Sequence, residues 1–174
     1  GSTIKTLVAL SALENGISKP LNKVKCTGKI ELHGEKFHCW KKKGHGVMNM
    51  RSAIQRSCDV YFYEVARKLG VDRLSETAKK FGLGKKTLEG FSEERSGVVP
   101  NTAWKKKFIG QNWYIGETLH SGIGQGYFQS TPMQLCRMTA QIANGGYEIN
   151  PRIIFNGENN SLKNYLDFKL NNPN

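Results

Sequence analysis

The sequence has no apolar run approaching the roughly 18 residues that span a bilayer, and its first residues do not resemble a signal peptide. It contains no internal repeat or low-complexity tract, and proline (5) and cysteine (4) are scarce among its 174 residues. Apolar residues make up 38% and charged residues 23%, a profile that excludes collagen, coiled coil and wholesale disorder. A chain of this length is enough for one globular domain with a sizeable core.

Acidic side chains are also few, and the charge is unevenly spread. The 26 Lys and Arg residues exceed the 14 Asp and Glu residues, so the net charge is +12. Residues 19–51 hold nine basic and two acidic residues, which supply +7 of that charge, together with two of the four cysteines and three of the four histidines. This balance favours anionic surroundings such as nucleic acid, a membrane face or an acidic polymer, without distinguishing between them.

Several segments have the apolar spacing and end signals of helices. They are residues 2–15, 47–56, 59–69, 72–81 and 132–143. Ser2 or Thr3 is expected to cap the first of these helices, and Asp72 the fourth. The last helix has the clearest start, because Thr131 precedes a proline at the first helical position. Its inward face is expected to hold Leu135, Met138, Thr139 and Ile142.

The rest of the chain lacks a helical period. Residues 29–33 and 36–40 flank Gly34 and resemble a small hairpin. Residues 84–130 are glycine-rich, and we expect them to be irregular. Residues 147–155 are expected to be extended.

Residues 2–5 read Ser-Thr-Ile-Lys, a Ser-x-x-Lys tetrad at a predicted helix start. Residues three apart lie on one helical face, so the Ser2 hydroxyl and the Lys5 amine can meet. A hydroxyl is a weak nucleophile until a base takes its proton, and a lysine whose surroundings favour the neutral amine can be that base. The helix N-terminus adds a positive potential that favours a developing oxyanion.

Three further motifs follow the tetrad. Ser57-Cys58-Asp59 lies between two predicted helices, and the segments 122–127 (Gly-Ile-Gly-Gln-Gly-Tyr) and 131–135 (Thr-Pro-Met-Gln-Leu) come later. Each motif is weak alone, but the set in this order resembles the transpeptidase domain of class B penicillin-binding proteins, above all the elongation type.

The resemblance implies an α+β fold of the penicillin-binding and serine β-lactamase type, of which this chain covers mostly the α-helical lobe. It makes Ser2 the acylated nucleophile, Lys5 its general base and Ser57 a proton relay. Asp59 stands where most relatives have Asn. The implied reaction acylates the serine with the D-Ala-D-Ala end of a peptidoglycan stem and passes the acyl group to a neighbouring stem's amine.

The resemblance also implies partners and a place of action. Peptidoglycan stem peptides are the expected substrates, β-lactam antibiotics the expected inhibitors, and membrane proteins of the elongation complex the expected partners, with no nucleic acid. The implied location is the periplasmic face of the cytoplasmic membrane, with the anchor outside this chain, and the implied role is cell-wall elongation and cell shape.

One departure from the family concerns its Lys-Thr/Ser-Gly triplet, which this sequence lacks. Residues 25–28 read Lys-Cys-Thr-Gly, with an inserted Cys, and come too early. We therefore expect residues 1–174 to be a partial transpeptidase domain with a basic Cys/His insert at about 20–46. We expect it to turn over poorly or not at all.

The insert and the second motif together contain a possible metal-ligand set. A Cys3His group, which suits tetrahedral zinc, is formed by Cys26, Cys39, His45 and Cys58. These cysteines lack the close Cys-x2–4-Cys spacing of a zinc finger. Two disulfides or free thiols are the alternatives. The resemblance favours structural zinc, because some elongation-type relatives carry such a site between the first two motifs.

The other candidate ligands are given lesser roles. His33 and His38 compete with His45 as the imidazole ligand, and we prefer His45. Cys136, in the last predicted helix, is expected to be a packed thiol outside the metal set.

Two other functions remain open at this point. A basic zinc-containing module that binds nucleic acid would explain the charge and the Cys/His insert. It would leave the serine and lysine motifs as coincidences. A serine β-lactamase or β-lactam sensor would share the fold, but nothing in the sequence supplies an activated water for deacylation.

Overall fold

The computed structural model describes residues 1–88 and 92–152. In chain order the helices are α1 (Ile4–Glu14), α2 (Met50–Gln55), α3 (Asp59–Leu69), α4 (Val71–Lys80), α5 (Thr102–Phe108), α6 (Ile115–Gly122) and α7 (Pro132–Ala143). The strands are β1 (Val24–Cys26), β2 (Lys29–Leu32), β3 (Glu35–His38) and β4 (Gly46–Met48). Within the described residues no helix combines the length and apolar character needed to cross a bilayer.

The core is built mainly where α1, α3 and α6 meet. Leu7 and Val8 of α1, Phe62 of α3 and Leu119 of α6 are fully buried in one continuous apolar cluster. Gly122 ends α6 against α3, where a Cβ would lie 2.4 Å from the Ala66 Cβ. The absence of a side chain at this position therefore sets how closely the two helices pack.

The basic insert folds into two small antiparallel sheets. β2 pairs with β3, with Lys29 opposite His38, which confirms the predicted hairpin. β1 pairs with β4, with Val24 opposite Met48, and neither strand was predicted from the sequence. The helix predicted from residue 47 therefore begins only at Met50, because the residues before it are strand.

Two predicted helix caps are wrong. Thr3 stands at the N-cap of α1 in a helical conformation and its side chain caps nothing. Asp72 is not the N-cap of α4 but lies in its first turn after Gly70. The Asp72 carboxylate instead accepts hydrogen bonds from the backbone and hydroxyl of Thr102 at 3.0 Å, which fastens the start of α5 to α4.

The expectation that residues 84–130 are irregular is also wrong, because α5 and α6 lie within them. Asn101 caps α5 by accepting from the backbone N–H of Trp104 at 2.7 Å. Lys105 of α5 is buried and pairs with Glu117 of α6 at 2.5 Å. This tertiary ion pair joins two short helices.

α7 is confirmed with its predicted start, since the Thr131 hydroxyl accepts from the Gln134 backbone. Leu135, Met138 and Ile142 pack against the core as predicted, but the inward face also includes Gln134 and excludes Thr139. Gln134 is fully buried beside Met138, because its amide donates to two backbone carbonyls. Thr139 is exposed, and so is Cys136, which corrects the expectation of a packed thiol.

The segment expected to be extended at 147–155 lies only partly within the described residues. Residues 147–152 form no strand. Residues 153–155 lie outside the described range.

Candidate active site and metal centre

The first candidate side chains lie at the start of α1. The Lys5 backbone N–H donates to the Ser2 carbonyl at 3.1 Å, so the two residues are one turn apart. Ser2 is exposed, and its hydroxyl makes no hydrogen bond within the described part of the chain. An open hydroxyl one turn from a lysine is available to an incoming substrate.

Lys5 is almost completely buried, with 2% of its surface exposed. Its Nζ donates to Ser57 Oγ at 2.9 Å, to the Ser57 carbonyl at 2.9 Å and to Asp59 Oδ1 at 2.6 Å. These three bonds use all the donors of an ammonium group. The buried charge is stabilised because each donor has a partner and one of the partners is a carboxylate.

Ser57 reaches Lys5 because the backbone turns sharply between α2 and α3. Its φ is +49°, in the left-handed region that non-glycine residues seldom adopt. Such a conformation costs about 1–2 kcal/mol and persists only where neighbouring contacts hold it. Here both the hydroxyl and the carbonyl of Ser57 are held by Lys5.

Asp59 is in the first turn of α3, where the helix dipole favours a negative charge. Its Oδ1 accepts from Lys5, and its Oδ2 accepts from the Trp40 backbone N–H at 2.9 Å. A carboxylate offers two acceptor oxygens to these two donors, whereas an Asn amide offers one. An Asp in place of the family's Asn therefore provides the acceptor oxygen that the second donor, the Trp40 backbone N–H, requires.

Trp40 is a contact of this site that sequence reasoning missed. Its indole Nε1 donates to the carbonyls of Arg56 and Ser57, both at 3.1 Å, while 64% of the residue stays exposed. Nothing in the local sequence indicates these contacts, because Trp40 and Ser57 are 17 positions apart. Its position directly after Cys39 was the one available signal.

The predicted metal ligands come from four separate segments. Cys26 ends β1, Cys39 follows β3, His45 precedes β4 and Cys58 lies at the N-cap of α3. All four are buried, and their ligand atoms lie within 4.8 Å of one another. The two small sheets thus bring residues 32 positions apart into one cluster.

The two distances from His45 to the thiols fit a tetrahedral ion. His45 Nδ1 lies 3.7 Å from Cys26 Sγ and 3.5 Å from Cys39 Sγ. Ligands at the zinc bond lengths of about 2.3 Å for sulfur and 2.1 Å for nitrogen lie about 3.6 Å apart across a tetrahedral angle. None of the cysteines is in a disulfide. The donor set and its spacing therefore fit zinc.

Burial affects the protonation of this cluster. Burial and the nearby charges of Lys41 and Arg56 lower the pKa of His45, which favours the neutral imidazole that binds metal. Burial raises the pKa of Cys58 to about 12 in the metal-free protein. Its binding to zinc would therefore release a proton.

The competing histidines are placed elsewhere. His33 is exposed in the tight turn between β2 and β3, with a φ of +50°, and His38 is exposed on β3. Neither is among the four clustered groups, nor is Cys136.

Residues 1–171 match the family model of the penicillin-binding protein transpeptidase domain. The chain is 40% identical over 156 residues to the peptidoglycan D,D-transpeptidase MrdA of Acinetobacter baumannii, covering 88% of this chain and 23% of that protein. It is 39% identical over 155 residues to MrdA of Escherichia coli K12, covering 88% and 24%. The chain thus spans about a quarter of the length of these relatives.

Solved structures show the same likeness. Pseudomonas aeruginosa PBP2 in complex with WCK 5153 is 45% identical with a TM-score of 0.84, covering 87% of this chain and 35% of that one. PBP2 of Helicobacter pylori in its complex with MreC is 35% identical with a TM-score of 0.85, covering 97% and 33%.

These matches confirm the resemblance drawn from the motifs and the penicillin-binding type of α+β fold, and they support this interpretation over a nucleic-acid-binding module. The chain belongs to the penicillin-binding protein transpeptidase domain family.

Proposed function

We propose that this chain carries the acylation centre of a serine-type peptidoglycan D,D-transpeptidase. The observation that carries the proposal is the buried Lys5 amine, which lies 2.9 Å from Ser57 Oγ and one helical turn from the open Ser2 hydroxyl. Two hydroxyls around one amine are what acyl transfer needs, since one attacks and the other passes a proton. The relatives named as D,D-transpeptidases support the same reaction.

In the first half-reaction the Ser2 oxygen attacks the carbonyl carbon of the D-Ala-D-Ala bond. Lys5 serves as the base once its ammonium has lost one proton to solvent. The neutral amine then takes the Ser2 proton, and the ammonium that re-forms is stabilised by Asp59 at 2.6 Å. Ser57 takes a proton from Lys5 and passes its own proton to the departing D-alanine amine as the peptide bond breaks. The products are a Ser2 ester and free D-alanine.

In the second half-reaction the amine of a neighbouring stem attacks the ester carbonyl. Its proton returns through the same groups to the Ser2 oxygen, which leaves as the restored hydroxyl. A new peptide bond replaces the ester, so no oxidant or other reactant is required. The start of α1 favours the negative charge that develops on the attacked carbonyl.

The same chemistry underlies the proposed inhibitors and the proposed place of action. A β-lactam acylates Ser2 in place of the stem, and the activity takes place in cell-wall elongation at the periplasmic face of the cytoplasmic membrane. Membrane proteins of the elongation complex are the proposed partners, supported by the complex of Helicobacter pylori PBP2 with MreC.

Because this chain is expected to turn over poorly, the reaction is tested by its first step, as labelling of the chain by a fluorescent penicillin over a long incubation. We expect Ser2→Ala and Lys5→Ala to abolish the label. Thr3→Ala, which removes the exposed hydroxyl beside Ser2, and Lys106→Ala, which removes an exposed lysine on α5, should leave the label intact. Equal labelling of Ser2→Ala and the unmodified protein would overturn the proposal.

We further propose that Cys26, Cys39, His45 and Cys58 hold one structural zinc ion. Zinc would supply coordination that ties the basic insert to the loop between α2 and α3. Because Cys58 lies between Ser57 and Asp59, this tie would fix the backbone of both neighbours.

Native mass spectrometry tests the zinc site. We expect one zinc per chain, lost in Cys26→Ser and His45→Ala but kept in Cys136→Ser and His38→Ala, which change residues outside the cluster. A metal-free protein with a disulfide among the three clustered thiols would contradict the proposal.

A further inference from the structure

Trp40 combines high exposure with a full set of hydrogen bonds. Large aromatic residues with buried rings are common, but this indole leaves 64% of the residue in solvent while both of its N–H groups are bonded. Exposing a ring of this size forfeits the burial that usually stabilises a tryptophan. Its contacts therefore point to a role other than core packing.

All three acceptors of Trp40 belong to the loop that carries the second motif. The indole Nε1 donates to the carbonyls of Arg56 and Ser57, and the backbone N–H donates to Asp59 Oδ2. The edge of the indole also packs against His45, with ring centroids 5.1 Å apart. His45 therefore packs against the Trp40 ring, and the ring N–H binds the loop between α2 and α3.

The Ser57 carbonyl is the common point of this arrangement. It accepts from Lys5 Nζ at 2.9 Å and from Trp40 Nε1 at 3.1 Å, which occupies both of its lone pairs. Ser57 is also the strained residue, with its φ of +49°. A backbone in this conformation stays in place only where surrounding contacts over-determine it.

We propose that Trp40 is a positioning residue, which holds the Ser57 backbone so that the Ser57 hydroxyl stays at the Lys5 amine. The inference rests on the proposed function for its effect on rate, but the contact itself is independent of any reaction. Trp40 acts through Ser57 and Asp59 and takes no part in proton transfer.

Trp40→Phe is the test variant, because it removes the indole N–H and keeps an aromatic ring beside His45. The matched control is Trp113→Phe, since Trp113 also donates its Nε1–H, here to Thr118 Oγ1 at 2.8 Å. Each variant removes one indole N–H, which Trp40 shares between two carbonyls and Trp113 gives to one hydroxyl, and only Trp40 touches Ser57.

The kinetic readout is acylation of the full chain by a fluorescent penicillin, with binding and acylation separated by stopped-flow measurement. We expect Trp40→Phe to lower the acylation rate constant about tenfold, the effect of one hydrogen bond, at an unchanged dissociation constant. Trp113→Phe should stay within about twofold of the unmodified protein. No loss in Trp40→Phe, or an equal loss in both variants, overturns the inference.

A second readout separates this inference from the proposed function. In a 1H–15N spectrum the Trp40 indole N–H should exchange slowly with solvent in spite of its exposure, and Trp40→Phe should shift the Ser57 amide signal while Trp113→Phe leaves it unmoved. If penicillin fails to acylate the unmodified protein, the proposed function fails, and this spectrum alone decides the inference. An unmoved Ser57 signal in Trp40→Phe overturns it.

Discussion

At the scale of single residues, the site depends on a strained backbone held by one buried charge. Ser57 is the residue on which the contacts converge, since Lys5 and Trp40 both donate to its carbonyl and Lys5 also reaches its hydroxyl. Removing the strain and removing the hydroxyl are separate changes, so their effects can be measured separately.

Ser57→Gly and Ser57→Ala both lack the hydroxyl, but only glycine adopts a φ of +49° without cost. We expect the glycine variant to have a free energy of unfolding about 1 kcal/mol higher than the alanine variant. Urea denaturation measures this difference, and both variants should lose acylation by penicillin. Equal stability of the two would show that the backbone at Ser57 is not strained.

Asp59→Asn tests why the carboxylate is present. The amide of an Asn at this position must point its NH2 group at either Lys5 Nζ or the Trp40 backbone N–H. Both of these groups are hydrogen-bond donors, so one of them loses its acceptor. We expect the free energy of unfolding to fall by about 1–3 kcal/mol, the cost of an unsatisfied buried partner. The same measurement on Glu64→Gln is the control.

Among residues 1–88 and 92–152, Glu64 pairs only with exposed Arg67 on the same helix, so its replacement should cost at most about 1 kcal/mol. A stable Asp59→Asn protein would mean that the two donors do not require two acceptor oxygens.

At the scale of secondary-structure elements, α5 and α6 are joined by the Lys105–Glu117 ion pair, which the sequence pattern does not reveal. Burial opposes ionisation of Glu117, but hydrogen bonds from Lys105 and the Tyr114 backbone outweigh it and lower the Glu117 pKa below 4.5. A carboxyl with a lowered pKa in the folded state stabilises the protein above pH 4.5. That stability is lost as the pH falls from 4.5 through the folded pKa.

We therefore expect Glu117→Gln to lower the free energy of unfolding at pH 7 by about 3–5 kcal/mol, because the buried Lys105 ammonium loses its only carboxylate partner in the described structure. The difference from the unmodified protein should shrink as the pH falls below 4.5. Chemical denaturation across this pH range is the measurement. Adding Lys105→Met should restore most of the loss, and a pH-independent difference would contradict the pairing.

The contact between α3 and α6 makes a second prediction at this scale. Gly122→Ala places a Cβ 2.4 Å from the Ala66 Cβ and 3.2 Å from the Phe62 carbonyl oxygen. We expect a loss of about 1–3 kcal/mol from overpacking, measured by urea denaturation. Combining it with Ala66→Gly should cost less than the sum of the two changes. If the two changes in the free energy of unfolding simply add, the helices move apart and the two side chains do not clash.

Local signals predicted the elements that depend on local interactions. The Thr131-Pro132 start of α7 and the turn at Gly34 are correct because caps and turns act over a few residues. β1 and β4 escaped prediction because each is held by a strand far along the chain, whereas α5 and α6 do carry local start signals, at Asn101 and at Glu117. The buried Lys105–Glu117 pair joins the two helices, and β1 pairs with a strand 22 positions along the chain.

The candidate site shows the same difference between local interactions, which were predicted, and distant ones, which were not. The Ser-x-x-Lys spacing predicted that Ser2 and Lys5 lie one turn apart, and the cysteine and histidine types predicted the Cys26 cluster. No local pattern could indicate that Trp40 donates to Ser57 or that both Asp59 oxygens are used, because these contacts exist only once the insert has folded onto α3.

At the scale of the whole molecule, the fold brings three distant segments to one point. The start of α1 supplies Ser2 and Lys5, the loop before α3 supplies Ser57, and the basic insert supplies Trp40 and the Cys/His cluster beside it. Lys41, one of the basic residues at 19–51, lies close enough to the cluster to lower the pKa of His45, and its charge would offset part of the negative charge of the thiolates on metal binding. The insert therefore supports the loop between α2 and α3, in keeping with its lack of an apolar core of its own.

The most direct test of the central claim is the position of the penicillin adduct. The protein is incubated with benzylpenicillin, digested and mapped by mass spectrometry. We expect one penicillin per chain on the peptide that begins the chain, attached to Ser2, and none in Ser2→Ala or Lys5→Ala. An adduct on any other residue, or acylation that survives Lys5→Ala, would contradict the assignment of Ser2 and Lys5 as nucleophile and base.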